Sequence, residues 1–326
     1  MSGPEVFGAA GSDRDINLEE ILAVADEPTP PGHRSGMVSL VGRPNVGKST
    51  LMNALVGEKV AIVTRVPGTT RNAIRGVLTR DDSQVVFLDT PGLTRPKTLL
   101  TRRLNDLVRD TWTGVDLLCF LVEATKGVTP SDRLLAEQLA DVPTRKLCLV
   151  TKEDRVKDRN QMLPLLTEVG KLGDWLEIVP VSAVSGFNLD VLLDVLVRHL
   201  PEGPRLFPVG RVSDQPERQR AAEILREKLI ARMGDEVPHS IMVVVEELAP
   251  DPDRDDVLRI EAVVFVERDS QKGIVIGKGA SVLKEAGTEA RHELEVLFGS
   301  KVHLETRVKV AKEWQADPKA LGRFGY

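Results

Sequence analysis

The run Gly42-Arg43-Pro44-Asn45-Val46-Gly47-Lys48-Ser49 has the spacing G-x-x-x-x-G-K-[ST] and lies between an apolar stretch and a helical one. That is the setting in which such a loop cradles phosphate. Gly42 and Gly47 let the backbone close around anionic oxygens. Main-chain N–H groups through Val46 and on to Thr50 then face the anion, aided by the helix N-terminus. Lys48 supplies a point charge for the β- and γ-phosphates, and Ser49 offers its hydroxyl to Mg2+. Asp89-Thr90-Pro91-Gly92 closes the next apolar stretch. An Asp there reaches the same Mg2+, and the Gly92 N–H is placed to sense a γ-phosphate. Thr151-Lys152-Glu153-Asp154 ends a later apolar run. A carboxylate at Asp154 accepts from guanine N1–H and the 2-amino group, whereas adenine offers neither donor; discrimination of this kind reaches ~10⁴ or more. Val181-Ser182-Ala183 follows at the end of the next run, where a backbone N–H of Ser182 or Ala183 meets guanine O6. Between the first two motifs lies Pro67-Gly68-Thr69-Thr70-Arg71. A threonine of this loop completes the Mg2+ shell, and Thr70 is preferred over Thr69. The expected metal ligands are thus Ser49, Thr70 and Asp89. Lys48, Thr70 and Gly92 act on the reacting phosphate.

Positioning these groups requires strands that end beside one another. Apolar runs occur at 37–42, 84–89, 116–122, 145–150 and 176–181, with amphipathic stretches Ser49–Val56, Leu99–Trp112, Asp132–Leu139, Asn160–Leu172 and Leu189–Leu200 between them. This alternation predicts an α/β fold: a mostly parallel sheet with helices on both faces. Residues 71–80 and 84–89 read as a hairpin adding one antiparallel strand. A Pro- and Gly-rich break at 201–217 ends the pattern. After it come a helix (Arg218–Arg232), strands at 239–248 and 257–268, a Gly-rich turn at 270–280, a helix at 281–298 and a strand at 301–310, which together make a compact α+β module. The expected domains are an N-terminal extension at 1–36 of flexible character, with a short helix near Asn17–Ala25; a nucleotide-binding domain at 37–203; a linker at 204–217; and the α+β module at 218–326.

The 326 residues carry a net charge of −5, and residues 205–326 hold 20 Lys and Arg against 22 Asp and Glu. Bulk charge therefore does not favour nucleic acid, and any such contact needs a local patch. Lys272, Lys278 and Lys284 bracket the Gly-rich turn and supply one. The two cysteines, Cys119 and Cys148, sit in apolar runs and read as buried thiols of a reducing compartment. No apolar run approaches the length of a membrane span.

The stretches GRPNVGKS, TTR, DTPGL and the TKED/VSA pair resemble the Era branch of the translation-factor-related GTPases. So do Ala222–Lys228, Glu236–Ser240, Val266–Arg268, Ile276–Ala280, Gly287–Arg291, Val302–Glu305 and the ending Phe324–Tyr326. The resemblance runs from about Met37 onward. It implies a Ras-like P-loop GTPase domain followed by a type-II KH domain. It further implies GTP/GDP and Mg2+ as ligands and slow hydrolysis of GTP. The implied partner is the 3′ end of small-subunit ribosomal RNA, bound during 30S assembly; the expected location is the cytoplasm, and a monomer is favoured, with the oligomeric state left open. Asn45 matches a position that helps hold K+ in related GTPases, which adds it to the catalytic and nucleotide-binding residues. The KH loop G-x-x-G corresponds to Gly277-Lys278-Gly279-Ala280, so Ala replaces the last glycine. If that position needs a positive φ, Ala strains it by ~1 kcal/mol or more. Thr151 stands where the family has Asn, whose amide ties the base loop to the P-loop; losing such a bond costs about 1 kcal/mol and weakens nucleotide binding. Leu93 occupies the position of the Ras glutamine and cannot polarise water. Two other readings stand beside this one. The first is a membrane-associated signalling GTPase that contacts the membrane peripherally. The second is an RNA-binding module that uses GTP as a structural ligand.

Overall fold

A computed structural model describes residues 29–234 and 237–326. The helix expected near Asn17–Ala25 lies outside the described residues.

The first half forms a six-stranded sheet in the order β2-β3-β1-β4-β5-β6. Its strands are β1 (Arg34–Val41), β2 (Ile74–Thr79), β3 (Ser83–Asp89), β4 (Leu117–Glu123), β5 (Arg145–Thr151) and β6 (Ile178–Pro180). β2 pairs antiparallel to β3, as the hairpin reading predicts, and the other pairings are parallel. β4 shows why its sequence is apolar throughout. Leu117, Cys119 and Leu121 enter a core shared with α1 (Lys48–Val56) and α5 (Leu189–His199). Leu118, Phe120 and Val122 enter the opposite core, against α2 (Leu99–Asp110), α3 (Pro130–Ala140) and α4 (Met162–Gly170). Both faces are covered, so alternation disappears. Cys119 and Cys148 are both buried, and burial pushes the Cys119 thiol up to about 12.

β1 begins at Arg34 rather than Met37. Buried His33 and Ser35 tie its start to the far end of the domain: His33 Nδ1 lies 2.8 Å from the Gly203 carbonyl, and the Ser35 N–H donates to Pro201. These contacts replace apolar residues, which is why the strand start was not visible as an apolar run. The Pro-rich linker is likewise packed. The Val77 N–H donates to Val212, and Gln84 Oε1 accepts from the N–H groups of Leu206 and Phe207.

The second half runs α6 (Glu217–Ile230), β7 (Met242–Asp251), β8 (Arg254–Val266), α7 (Asp269–Ile276), α8 (Ser281–Phe298), β9 (Lys301–Val310) and α9 (Pro318–Arg323). Its sheet has the order β7-β8-β9, with β8 and β9 parallel. Most of the Gly-rich segment at 270–280 is helical, not a turn. Gln271 caps α7 by accepting from the Glu267 and Arg268 N–H groups, and Val275 anchors it in the core. Gly273 sits inside that helix and hid it from a composition-based reading. Beyond the elements that the sequence pattern predicts lies α9; Asp317 caps it, and its Leu321 and the following Phe324 cover the buried Trp314. The same cluster takes Leu100 of α2, so the two halves share a core.

Candidate functional site

The phosphate-cradle residues come together where β1 runs into α1. Gly42 has no room for a side chain: a Cβ would meet Val46 Cγ1 at 2.9 Å and the Leu121 carbonyl at 3.1 Å. Gly47 takes φ 112° and opens α1. A cleft of about 630 Å³ lies over this turn, bordered by Asn45, Gly47, Lys48, Ser49, Thr50, Thr70 and Gly92. Lys48 is buried, and its Nζ donates to the Gly42 carbonyl at 3.0 Å. Burial pulls its pKa down, and Asp89 opposes the shift. Asp89 is also buried; burial pushes its carboxyl up, against Lys48 and Ser49. Ser49 donates to Asp89 Oδ2, while Oδ1 is buried with no partner. Thr70 Oγ1 lies 3.4 Å from Ser49 Oγ, whereas the Thr69 hydroxyl is occupied by Thr64 at 3.3 Å. Two hydroxyls and an unsatisfied carboxylate oxygen at one spot form an oxygen donor set that fits a hard divalent cation such as Mg2+. Gly92 sits against the P-loop, where a Cβ would meet the Pro44 nitrogen at 2.8 Å.

A second cavity, about 220 Å³, adjoins the cleft and is bordered by Thr50, Thr151, Lys152, Asp154, Val181 and Ala183. Ser182 does not offer only its backbone here. Its hydroxyl donates to Asp154 Oδ1 at 2.6 Å and orients that carboxylate. The tether expected to be lost with Thr151 is kept: its hydroxyl donates to the Val46 carbonyl at 2.7 Å, with the Val122 carbonyl at 3.2 Å. Lys152 adopts φ 59° and donates to the Asn45 carbonyl at 2.7 Å. The Asn45 amide donates to the Arg65 carbonyl at 2.8 Å, which leaves its oxygen as the atom for a cation. Leu93 does not border the nucleotide cleft. It packs against the core under α2 and α3.

The lysine-bracketed turn is short and tightly specified. Gly277 has φ 74°, and a Cβ there would meet Val282 Cγ2 at 2.6 Å. Gly279 has φ 61° and open space around it. Ala280 has φ 62° and ψ 23° as the residue before α8, so the position does require the left-handed region and Ala is strained there. Lys278 and Lys284 are exposed, and Lys272 is half-buried on α7. Exposed Ile274 stands in the same helix.

Residues 37–152 match the family described as 50S ribosome-binding GTPase, and residues 236–315 match the KH domain. The chain is 52% identical over 295 residues to GTPase Era of Mycobacterium avium, covering 90% of this chain and 99% of the relative. Against GTPase Era of Mycobacterium tuberculosis it is 50% identical over 295 residues, covering 90% and 98%. The chain belongs to the Era family of GTPases. Solved Era structures agree. An Aquifex aeolicus Era variant bound to GDP·AlF4− superposes with a TM-score of 0.87 at 38% identity, over 90% of this chain and 99% of that one. An Era in complex with MgGDPNP and nucleotides 1506–1542 of 16S ribosomal RNA gives 0.88 at 38% identity, with the same coverage.

This Era-family chain is a GTPase with a Ras-like domain followed by a KH domain. Its cleft contains residues that the motifs did not point to. Glu123, at the end of β4, pairs with Arg43 and Lys152 at 3.0 Å each. Burial would raise its carboxyl, but Lys152, Thr125 and Arg43 outweigh that and hold it below the usual range. An acidic residue closing the apolar run 116–122 is the sequence signal that could have found it. Arg65, Lys126 and Arg155 also border the cleft. Among the described residues, no helix is long and apolar enough to cross a membrane.

Proposed function

We propose that this chain is a GTP-hydrolysing switch that binds the 3′ end of small-subunit ribosomal RNA and assists 30S assembly in the cytoplasm. The observation that carries this reading is its similarity, over 90% of the chain, to an Era structure holding MgGDPNP and 16S ribosomal RNA nucleotides 1506–1542. In this reading, residues 37–203 bind nucleotide, 204–217 link, and 218–326 bind RNA.

The N–H groups of Val46 to Thr50 and the Lys48 ammonium hold the phosphates. Asp154, oriented by Ser182, selects guanine, and Ala183 faces its O6. Ser49, Thr70 and Asp89 would hold Mg2+, which neutralises phosphate charge when bound. Water attacks the γ-phosphorus as the bond to the β-phosphate oxygen breaks, yielding GDP and phosphate. Lys48 and the Gly92 N–H favour the charge that develops on the oxygens. Since Leu93 is apolar and turned into the core, no side chain at that position orients the water. Slow intrinsic turnover follows, and K+ held at the Asn45 oxygen would accelerate it. At the KH turn, the backbone of Gly277–Ala280 clamps nucleotides, while Lys272, Lys278 and Lys284 meet phosphates.

The test is titration of a short RNA copied from the small-subunit rRNA 3′ end, with a GTP analogue and with GDP. Tighter binding in the GTP-analogue state is expected. Equal and weak binding in both states would refute the RNA part. Lys48→Ala should abolish hydrolysis, and retained turnover would refute the nucleotide site.

A further inference from the structure

The segment between α1 and β2 lacks regular structure, yet it is fastened at several points to the KH half. Arg226 of α6 is fully buried. Its Nη2 donates to the Thr69 carbonyl, and its Nε and Nη2 hold Glu223 at 2.9 and 2.6 Å. On the other side of Thr70, buried Arg71 donates to the carbonyls of Ile241 and His239 at 2.8 Å each and stacks 5.3 Å over Trp314. Nearer α1, the Val63 N–H donates to Glu227 at 3.0 Å, and Lys59 pairs with both Glu227 and Glu293.

Thr70 is therefore suspended between two buried guanidiniums that belong to, or insert into, the KH half. Burying such cations is costly, and Arg226 is not even fully satisfied, since its Nη1 is buried with no partner. A contact that merely joined two domains would be as effective with apolar residues. Here Arg226 ends on the Thr69 carbonyl, and Arg71, the residue after Thr70, reaches across to main-chain atoms of the KH half; Thr70 between them holds its hydroxyl 3.4 Å from that of Ser49.

We propose that Arg226 is a positioning residue for GTP hydrolysis. By gripping the Thr69 carbonyl it sets the reach of Thr70 toward the metal and γ-phosphate, so the KH half completes the GTPase site. This rests on the metal-shell role of Thr70 given above. A threonine displaced by about 1 Å costs up to ~10²-fold in rate.

The experiment uses the full chain and measures GTP turnover against Mg2+ concentration, alongside GDP affinity. Arg226→Lys keeps the charge but loses the planar fork that serves Glu223 and Thr69 together. It should lower kcat about tenfold or more and raise the half-saturating Mg2+. GDP affinity should stay within about twofold, because Thr70 is engaged only when a γ-phosphate is present. In a Thr70→Ala background, Arg226→Lys should add nothing, since residues acting as a unit are non-additive. If a variant at Arg226 does not fold, Glu223→Gln weakens the same grip and should shift kcat and Mg2+ dependence in the same direction. Full additivity with Thr70→Ala, or equal losses of GDP and GTP binding, would overturn the proposal. If Lys48→Ala is inactive while the Arg226 and Glu223 variants behave as wild type, the nucleotide site stands and only this inference fails.

Discussion

Asp154→Asn tests the base assignment, and the structure decides which way the new amide points. Ser182 Oγ donates to Asp154 Oδ1 at 2.6 Å, and the Ser185 N–H in turn donates to Ser182 Oγ at 3.1 Å, which keeps the hydroxyl proton directed at Asp154. In the variant the amide oxygen must therefore stay on the Ser182 side. The NH2 group takes the place of the second carboxylate oxygen and faces the base. Guanine then presents its 2-amino donor to another donor. The loss has two parts: a hydrogen bond to a charged acceptor, about 1.5–3 kcal/mol, and a donor left unpaired, about 1–3 kcal/mol. Asp154 is exposed, so water offsets part of this, and the lower halves apply. The expected total is about 3 kcal/mol, or roughly 10²-fold weaker GTP binding. Xanthine carries an oxygen at the same position and accepts from the NH2 group, so xanthosine triphosphate should gain what GTP loses. Competition against a fluorescent GDP analogue measures both affinities. Adding Ser182→Ala releases the amide to flip and should narrow the preference for xanthine. If Asp154→Asn still prefers GTP, the assignment of Asp154 as the base-reading carboxylate is wrong.

Three further outcomes are expected. Thr151→Val removes the hydroxyl that serves the Val46 carbonyl and leaves a buried acceptor unmet; GDP and GTP should both bind about 1–2 kcal/mol more weakly in the same titration, and unchanged affinity would show that the tether is idle. Ala280→Gly relieves a left-handed residue at about 1–2 kcal/mol, less the greater chain entropy of glycine, so urea unfolding should show a net gain of about 0.5–1 kcal/mol; a lowered midpoint would contradict the strain. Hydrolysis should be faster in K+ than in Na+ buffers if the Asn45 oxygen serves a monovalent cation, and Asn45→Ala should erase the difference; equal rates in wild type would remove K+ from the mechanism.

The nucleotide site was legible in sequence because each of its groups is positioned by a few neighbours along the chain. Gly42, Asp89 and Asp154 sit at strand ends or in the adjoining turns, Lys48 opens the helix that follows the first of them, and a strand that is apolar on both faces fixes where its end lies. Local reasoning failed in two different ways elsewhere. At 270–280, glycine content pointed to a turn, but one buried valine and a glutamine cap outweighed Gly273 and built α7. At Thr151, family resemblance pointed to a missing tether, but the threonine hydroxyl reaches a P-loop carbonyl because the β5 end passes directly beside Val46. Arg71 and Arg226 lie in stretches that resemble the family, but their roles were beyond any local signal. Their partners lie 170 and 157 residues away along the chain, and no neighbour in sequence points to them. What distinguishes them is burial, and burial of a guanidinium is a property of the assembled fold. The residues that recognise GTP are thus written into short motifs, whereas those that would let the KH half sense GTP exist only where the halves meet. Coupling between two modules can be encoded nowhere else, because neither module alone contains both ends of the contact.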